Sequence, residues 1–476
     1  MDTGSDRLGP YQWRLFIFVC IFWAIDGSEM YVMSLVLPEL PAEKWGLSAG
    51  MTGALGGSTF EGMLAGTLFF GWISDKFGRL TTVRITLAIA AIFGALSPLS
   101  DSTAALFLLR FGFGFGVGGC VPSLIVLLIE SSPTNTAVSS VGLTQSMFAV
   151  GGIWVTSVAV FVLVHLNWQW LLVFAALPLL FCAPFYIPDF IHESPGWLRA
   201  TGNTKEAERV LGLIRVTNGQ PDSVTADPKA QPLTAELVAE PAVGISSSKA
   251  TALDQYRGLF GPHAYLTFTL MPLWAIMSFG YYGLIFIIPT FLNAHVAAEE
   301  ETQGTLLTAA AEIPGYFIGG WLADKYGRRL IMGPMFVLAT VFAFVTGVFA
   351  SLMDSNQLEW GWFLLAACLF KTFISAGFLI LMVYTAEAYP TLLTSTGYGL
   401  GNACTRLAGA LTPYVGQVLL EGSSPFGAFA VYGAGCAGAA ALAWALPFET
   451  KGRDADAVER QRLEGKPSEA TPLRAA

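Results

Sequence analysis

Seven ionisable residues lie inside apolar stretches of this chain: Asp26, Glu29, Glu61, Arg110, Glu312, Lys371 and Arg406. Such a group at mid-bilayer is costly, and by default it marks a solute pathway or a proton relay. Asp26 and Glu29 stand in an i, i+3 relation and share one helix face. That face must look at a central cavity, because lipid would be prohibitive. Two carboxylates so close cannot easily both ionise in low dielectric, so Asp26 and Glu29 are the candidates for loading and releasing a proton. Histidine is disfavoured as the carrier, since His165, His192, His263 and His295 fall at span ends or in loops. The candidates for substrate contact are Arg110, Glu312, Lys371 and Arg406, with Tyr281 and Tyr282, whose hydroxyls seek partners when buried. For Arg110 and Lys371, structural pairing and a direct solute or proton role both stand open.

These residues need elements to hold them. The chain has 476 residues, of which 54% are hydrophobic and 12% charged. A soluble domain carries roughly 25% charged residues, so the deficit points to a bilayer, where each helical span needs about 20 apolar residues. Twelve spans are expected, over 12–37, 49–73, 83–100, 103–130, 137–165, 169–190, 264–293, 303–323, 330–352, 360–387, 393–420 and 425–446. The first is too long for a cleavable signal and lacks the small-residue cleavage pattern. The fold class expected is an all-α membrane protein with two pseudo-symmetric six-helix lobes. The division is 1–190 for the N-terminal lobe, 191–262 for a linker, 263–447 for the C-terminal lobe and 448–476 for a tail. Within the linker, Ser194–Asn218 has helical periodicity, with Ala207, Val210, Leu211 and Ile214 on one face. The Pro-, Ser- and Ala-rich stretch from Gly219 to Ala252 reads as flexible, and so does the polar tail.

The two halves repeat each other. Gly71-Trp72-Ile73-Ser74-Asp75-Lys76-Phe77-Gly78-Arg79 is echoed by Gly320-Trp321-Leu322-Ala323-Asp324-Lys325-Tyr326-Gly327-Arg328. Each lies between the second and third span of its half. Glu130 and Glu387 both open a Glu-x-x-Pro-Thr at the end of a fourth span of their half. Glu61 and Glu312 precede the two aspartates on their helices, and Arg110 is mirrored by Lys371. This is the pattern of a carrier that binds a solute between two lobes and rocks around it. Asp75, Arg79, Glu130, Asp324, Arg328 and Glu387 are the gating candidates, with contacts expected across the lobe interface.

Orientation follows from Lys and Arg in short loops. With the N-terminus in the cytoplasm, Lys76, Arg79, Arg84, Lys325, Arg328 and Arg329 all fall inside, and Lys44 is the only Lys or Arg in an outer loop. Both termini are therefore expected in the cytoplasm of a multi-pass cell-membrane protein. The net charge of −9 says little about partners, because the bilayer partitions the charges. The six cysteines lie in apolar spans without a Cys-x-x-Cys pair, so neither a disulfide nor a metal site is expected. Gly114-Phe115-Gly116-Val117-Gly118-Gly119 matches a dinucleotide fingerprint, but no strand precedes it. Arg110, Gly114 and Gly118 instead share a helix face that allows close packing. No phosphate-binding G-x-x-x-x-G-K-[ST] loop is present, so the energy has to come from an ion gradient. The chain reads as a carrier rather than an enzyme, and no cofactor is expected.

On these residues the chain resembles the major facilitator superfamily over its whole membrane part. The doubled Gly-x-x-x-Asp-Lys-x-Gly-Arg motif carries that likeness. Within it the chain is similar to the organic-ion transporter, synaptic-vesicle-glycoprotein-like and metabolite–proton symporter group, through Asp26-Gly27-Ser28-Glu29-Met30, Tyr281-Tyr282-Gly283-Leu284, Glu312-Ile313-Pro314-Gly315, the run from Thr385 to Thr391, and Arg406-Leu407-Ala408-Gly409. It departs at Ala137 and Thr394, where that group often has Arg. Glu193-Ser194-Pro195-Gly196-Trp197-Leu198 and Glu449-Thr450-Lys451-Gly452 echo sugar porters. The resemblance implies that a cation at Arg406 suits a carboxylate solute. The alternative is that Arg406 pairs with Glu61 or Glu312. The expectation is a secondary active transporter, working as a monomer in the bilayer by proton-coupled symport of a small organic acid, aromatic carboxylates included. A sugar or polyol–proton symporter and an efflux carrier are the alternatives within transport, and a transport-incompetent receptor is the reading of another class. Partners are then a small-molecule substrate and protons, with no nucleic acid.

Overall fold

The computed structural model describes residues 9–41, 45–131, 134–219, 252–355, 357–422 and 425–451. Helices α1 (Pro10–Val36), α2 (Ala49–Phe77), α3 (Arg79–Leu96), α4 (Thr103–Ser131), α5 (Thr134–His165) and α6 (Trp168–Ala176, continued as a 3-10 helix over Leu177–Tyr186) build the first lobe. Helices α10 (Ala264–His295), α11 (Ala298–Ala310) followed by α12 (Glu312–Tyr326), α13 (Arg328–Asp354), α14 (Trp360–Ala388), α15 (Thr391–Gly422) and α16 (Pro425–Ala445) build the second. The expected spans fall on helices, the sixth ending at Tyr186 and the eighth broken in its middle, so the protein is an all-α, twelve-span, two-lobed membrane protein. Large apolar side chains such as Leu68, Trp72, Phe161, Phe317 and Trp321 point outward, as a lipid-facing surface requires.

Between the lobes lie α7 (Pro195–Ala200), α8 (Thr204–Thr217) and α9 (Ala252–Phe260). Ala207, Val210 and Ile214 are buried against Leu198 and Tyr11 of α1, on the face that periodicity marks. Asn218 then caps this contact: its side-chain oxygen accepts from the Tyr11 backbone N–H at 2.9 Å. Helix α9 falls where the sequence reads as linker. The remainder of the flexible stretch, 220–251, lies outside the described residues, as do Lys44 and the tail from 452.

The eighth span, expected as one helix, is interrupted at Ala311. Pro314 lacks the N–H that would bond the carbonyl one turn back. Thr372 of α14 donates its hydroxyl to the Ala311 carbonyl at 2.8 Å. The break leaves Glu312 at the start of α12, fully buried inside the bundle.

The two Asp-Lys-x-Gly-Arg turns define one end of the molecule, here the charged end. Gly78 and Gly327 both have positive φ, 100° and 117°, a conformation L side chains rarely adopt. At the opposite end the lobes are pressed together. Gly53, Gly56 and Gly57 of α2 abut Tyr414, Pro413 and Ala410 of α15, and Gly409 abuts Phe60. A side chain at Gly57 would meet the Ala410 backbone oxygen at 2.5 Å. Glycine here sets the interhelical distance rather than a turn.

Candidate functional site

Among the described residues, three buried ion pairs lie inside the helical bundle. The first joins the lobes: Arg406 of α15 donates Nη2 to Asp26 Oδ2 of α1 at 3.1 Å. Asp26 Oδ1 and Arg406 Nε and Nη1 are buried without a hydrogen-bond partner. Neither Glu61 nor Glu312, the two alternatives from sequence, is the Arg406 partner. Arg406 lines a small cavity with Asn402, Thr405, Tyr398, Tyr282, Trp274, Phe378, Trp23 and Phe148. Its volume of about 10 Å³ is at the threshold for one water, so the lobes must part to admit a solute.

The second pair is internal to the first lobe. Arg110 of α4 donates Nη1 to Glu29 Oε2 at 2.8 Å and Nε to Ser97 Oγ at 3.0 Å. The face of Phe113 lies 4.9 Å from the same guanidinium. Asp26 and Glu29 thus have separate cationic partners, on α15 and α4. One helix turn is enough for the two side chains to diverge, and each finds its own cation. The two lobes differ here: Lys371 meets Glu312 at the head of α12, whereas Arg110 meets Glu29 of α1 and not Glu61 of α2. Glu61 is only partly buried.

The third pair is internal to the second lobe. Lys371 Nζ of α14 lies 3.0 Å from Glu312 Oε1. Glu312 also accepts the hydroxyls of Tyr281 at 2.6 Å and Tyr316 at 3.2 Å. Tyr31 of α1 donates to the same carboxylate from the other lobe. Tyr281 and Tyr282 are both buried as expected, but they divide the work: Tyr281 reaches Glu312, and Tyr282 lines the cavity beside Arg406, its ring packed edge-on against Phe60 at 4.6 Å. Tyr31 and Tyr316 escaped the sequence reading. The rule that a buried Tyr needs a partner applies to them equally, and it could have found them.

At the charged end, Arg328 Nη2 contacts Asp324 at 3.1 Å and Glu387 at 3.0 Å. These groups belong to α12, α13 and α14, so this network ties one lobe to itself and is not the cross-lobe contact expected from sequence. Thr450 donates its hydroxyl to Glu387 at 2.7 Å. Arg79 in the first lobe donates Nη1 to the Ser74 carbonyl at 2.9 Å; the side chains of Asp75 and Glu130 lie outside the described residues. Two further carboxylates complete the turns. Glu193 Oε1 accepts the Arg79 backbone N–H at 2.8 Å, and Glu449 Oε1 accepts that of Arg328 at 2.7 Å. Each satisfies orphan donors at a helix N-terminus, where negative charge is favoured. Both carboxylates are half-buried, and an oxygen of each stands under 3.0 Å from where a Cβ on Gly78 or Gly327 would sit.

A closed-up, two-lobed bundle with charge at its centre and matched turns at one end is a membrane solute carrier. A family profile described as "Sugar (and other) transporter" matches residues 39–461, and the chain belongs to this family of the major facilitator superfamily. It is 31% identical to a synaptic vesicle 2-related protein of Bos taurus over 469 residues, covering 94% of this chain and 80% of that one. It is 28% identical to organic cation/carnitine transporter 7 of Arabidopsis thaliana, covering 94% and 93%, and 24% identical to the niacin transporter NiaP of Acinetobacter baylyi, covering 86% and 87%. Among solved structures, it shares its fold with the xylose transporter XylE from E. coli in a partially occluded inward open conformation. That match has a TM-score of 0.73 at 17% identity and covers 93% of this chain and 99% of the other.

Proposed function

We propose that this protein is a proton-coupled symporter of a small organic acid, with an aromatic carboxylate as the best-fitting solute. The observation that carries the reading is the Asp26–Arg406 pair. A buried guanidinium with two unsatisfied nitrogens is an incomplete carboxylate site, because Arg binds carboxylates through two parallel N–H donors. Asp26 stands in for the solute with one oxygen. Protonation of Asp26 breaks the pair and leaves the guanidinium to the solute carboxylate, so proton and anion load together. Trp274, Phe378 and Tyr282 supply ring faces beside it, which suits an aromatic acid; niacin, named for the Acinetobacter relative, is an acid of that kind. A sugar needs no cation at the centre of its site, and this argues against the sugar or polyol alternative.

The transport cycle then turns on the lobes rocking about the central pairs. The charged end faces the cytoplasm of a cell membrane, on the strength of its Lys and Arg. Arg79, Asp324, Arg328 and Glu387 brace that end of each lobe. The test is direct binding of carboxylates, neutral sugars and organic amines to the parent, Arg406→Lys and Arg406→Asp. Arg406→Lys keeps the charge and loses the planar fork, so carboxylate binding weakens at least tenfold while anion preference persists. Arg406→Asp abolishes it. Tight sugar binding by the parent that is insensitive to Arg406→Lys sinks the organic-acid reading.

A further inference from the structure

The surroundings of Lys371 are those of a bound organic cation, not of a lysine in an ordinary salt bridge. Its ammonium lies 4.0 Å from the centroid of the Tyr281 ring and 5.4 Å from that of Tyr31. Glu312 Oε1 is 3.0 Å away, an ion-pair contact that falls outside heavy-atom hydrogen-bond geometry. Lys371 is 1% exposed and Glu312 is fully buried, so no solvent completes the shell. A lysine held for stability alone would gain most from acceptors on each of its three N–H donors. Two ring faces and one carboxylate instead recognise an ammonium by charge and polarisability, as aromatic cages recognise organic ammonium ligands.

We propose that Glu312, Tyr281 and Tyr31 form a cation cage that the chain fills with its own Lys371. The lysine acts as a tethered ligand. It keeps the cage closed to free organic cations, and so sets the sign of charge the central path accepts. The class of ligand the emptied cage would take is a small primary alkylammonium. Lys371→Ala removes three carbons and the nitrogen of the side chain, which are the heavy atoms of n-propylammonium. The inference concerns a different group from the Asp26–Arg406 pair. Its readout needs no transported acid, so its failure is separable from failure of the organic-acid reading.

The experiment is thermal unfolding of the purified full-length protein in detergent, titrated with n-propylammonium chloride, sodium chloride or n-propanol. Lys371→Ala is expected to be stabilised by n-propylammonium at a concentration at least tenfold lower than the parent requires, and n-propanol has little effect. Lys371→Ala with Glu312→Gln loses that response, since the carboxylate is gone. Lys371→Met, which keeps the bulk of the stem, shows none because the cage is still filled. Equal stabilisation by propanol and propylammonium means a plain void and overturns the proposal, as does no response to either. If Lys371→Ala does not fold, propylammonium is supplied during expression and extraction. Recovery of monodisperse protein with propylammonium and not with propanol then supports the cage, and failure of recovery overturns it.

Discussion

Two acids one helix turn apart have different fates at the residue scale. Glu29 meets a guanidinium that Ser97 and Phe113 also hold, all within one lobe, so nothing in this contact has to change when the lobes move. Removing one partner of such a buried pair leaves an uncompensated charge and costs about 3–5 kcal/mol. Glu29→Gln should therefore lower the thermal unfolding midpoint strongly, whatever its effect on transport; a midpoint within a degree or two of the parent would contradict a structural role. Asp26 meets its cation across the lobes, and there the pair must open and close. Asp26→Asn should abolish accumulation driven by a pH gradient in proteoliposomes, while solute exchange between equal compartments survives. Unchanged gradient-driven uptake removes Asp26 from the coupling step.

At the scale of elements, the break between α11 and α12 and the glycine contacts of α2 with α15 do the positioning. The helix breaks at Ala311, just before Glu312; Pro314 has no N–H to bond back across the break and Thr372 takes up the Ala311 carbonyl, which lets a carboxylate sit among three tyrosines there. On α2, Gly53, Gly56 and Gly57 let the second lobe approach to backbone contact at the end away from the charged turns. Gly57→Leu places a side chain where the Ala410 oxygen stands, and interiors as dense as a protein's have no slack for it. The expected outcome is a population shift toward the state open at that end, read as faster labelling of a cysteine introduced at Gly50, where a Cβ makes only ordinary contact with Tyr414, than in the same position of an otherwise unchanged chain. Equal labelling rates would show that the α2–α15 contact does not hold the end closed.

At the scale of the whole molecule, polar links between the lobes among the described residues include Asp26 with Arg406 and Tyr31 with Glu312. The second can be weakened without touching either ion pair. Tyr31→Phe deletes one hydroxyl donor to a charged acceptor, worth about 1.5–3 kcal/mol, while Glu312 keeps Lys371, Tyr281 and Tyr316. If that bond forms only when the lobes are closed, its loss should move the equilibrium toward open states by about tenfold or more. Site-specific spin labels on α2 and α15 would report the distance distribution, and an unaltered distribution would mean that the hydroxyl is made equally in all states.

The amino-acid sequence by itself determined the class and the inventory. Apolar runs of bilayer length, the low charged fraction and the doubled Asp-Lys-x-Gly-Arg turn are local or periodic signals, and each follows from a rule that holds whatever the neighbouring helix is. The same rule made every membrane-embedded charge a candidate, and Asp26, Glu29, Arg110, Glu312, Lys371 and Arg406 are all buried together at the centre. Partner choice was decided only in three dimensions. Spacing along α1 placed Asp26 and Glu29 on one face, but the rotation of α1 between two lobes turned one toward Arg406 and the other toward Arg110. Internal symmetry put Glu61 and Glu312 at matching places, and both were alternatives for Arg406, yet the Arg406 partner is Asp26, because symmetry of sequence does not fix which helix lies nearest. The Tyr31–Glu312 link joins residues 281 positions apart, and no local pattern carries such a pairing. Burial energies fix which side chains leave water or lipid; which acid meets which base depends on helix rotation, register and lobe contact, and those are properties of the packed bundle.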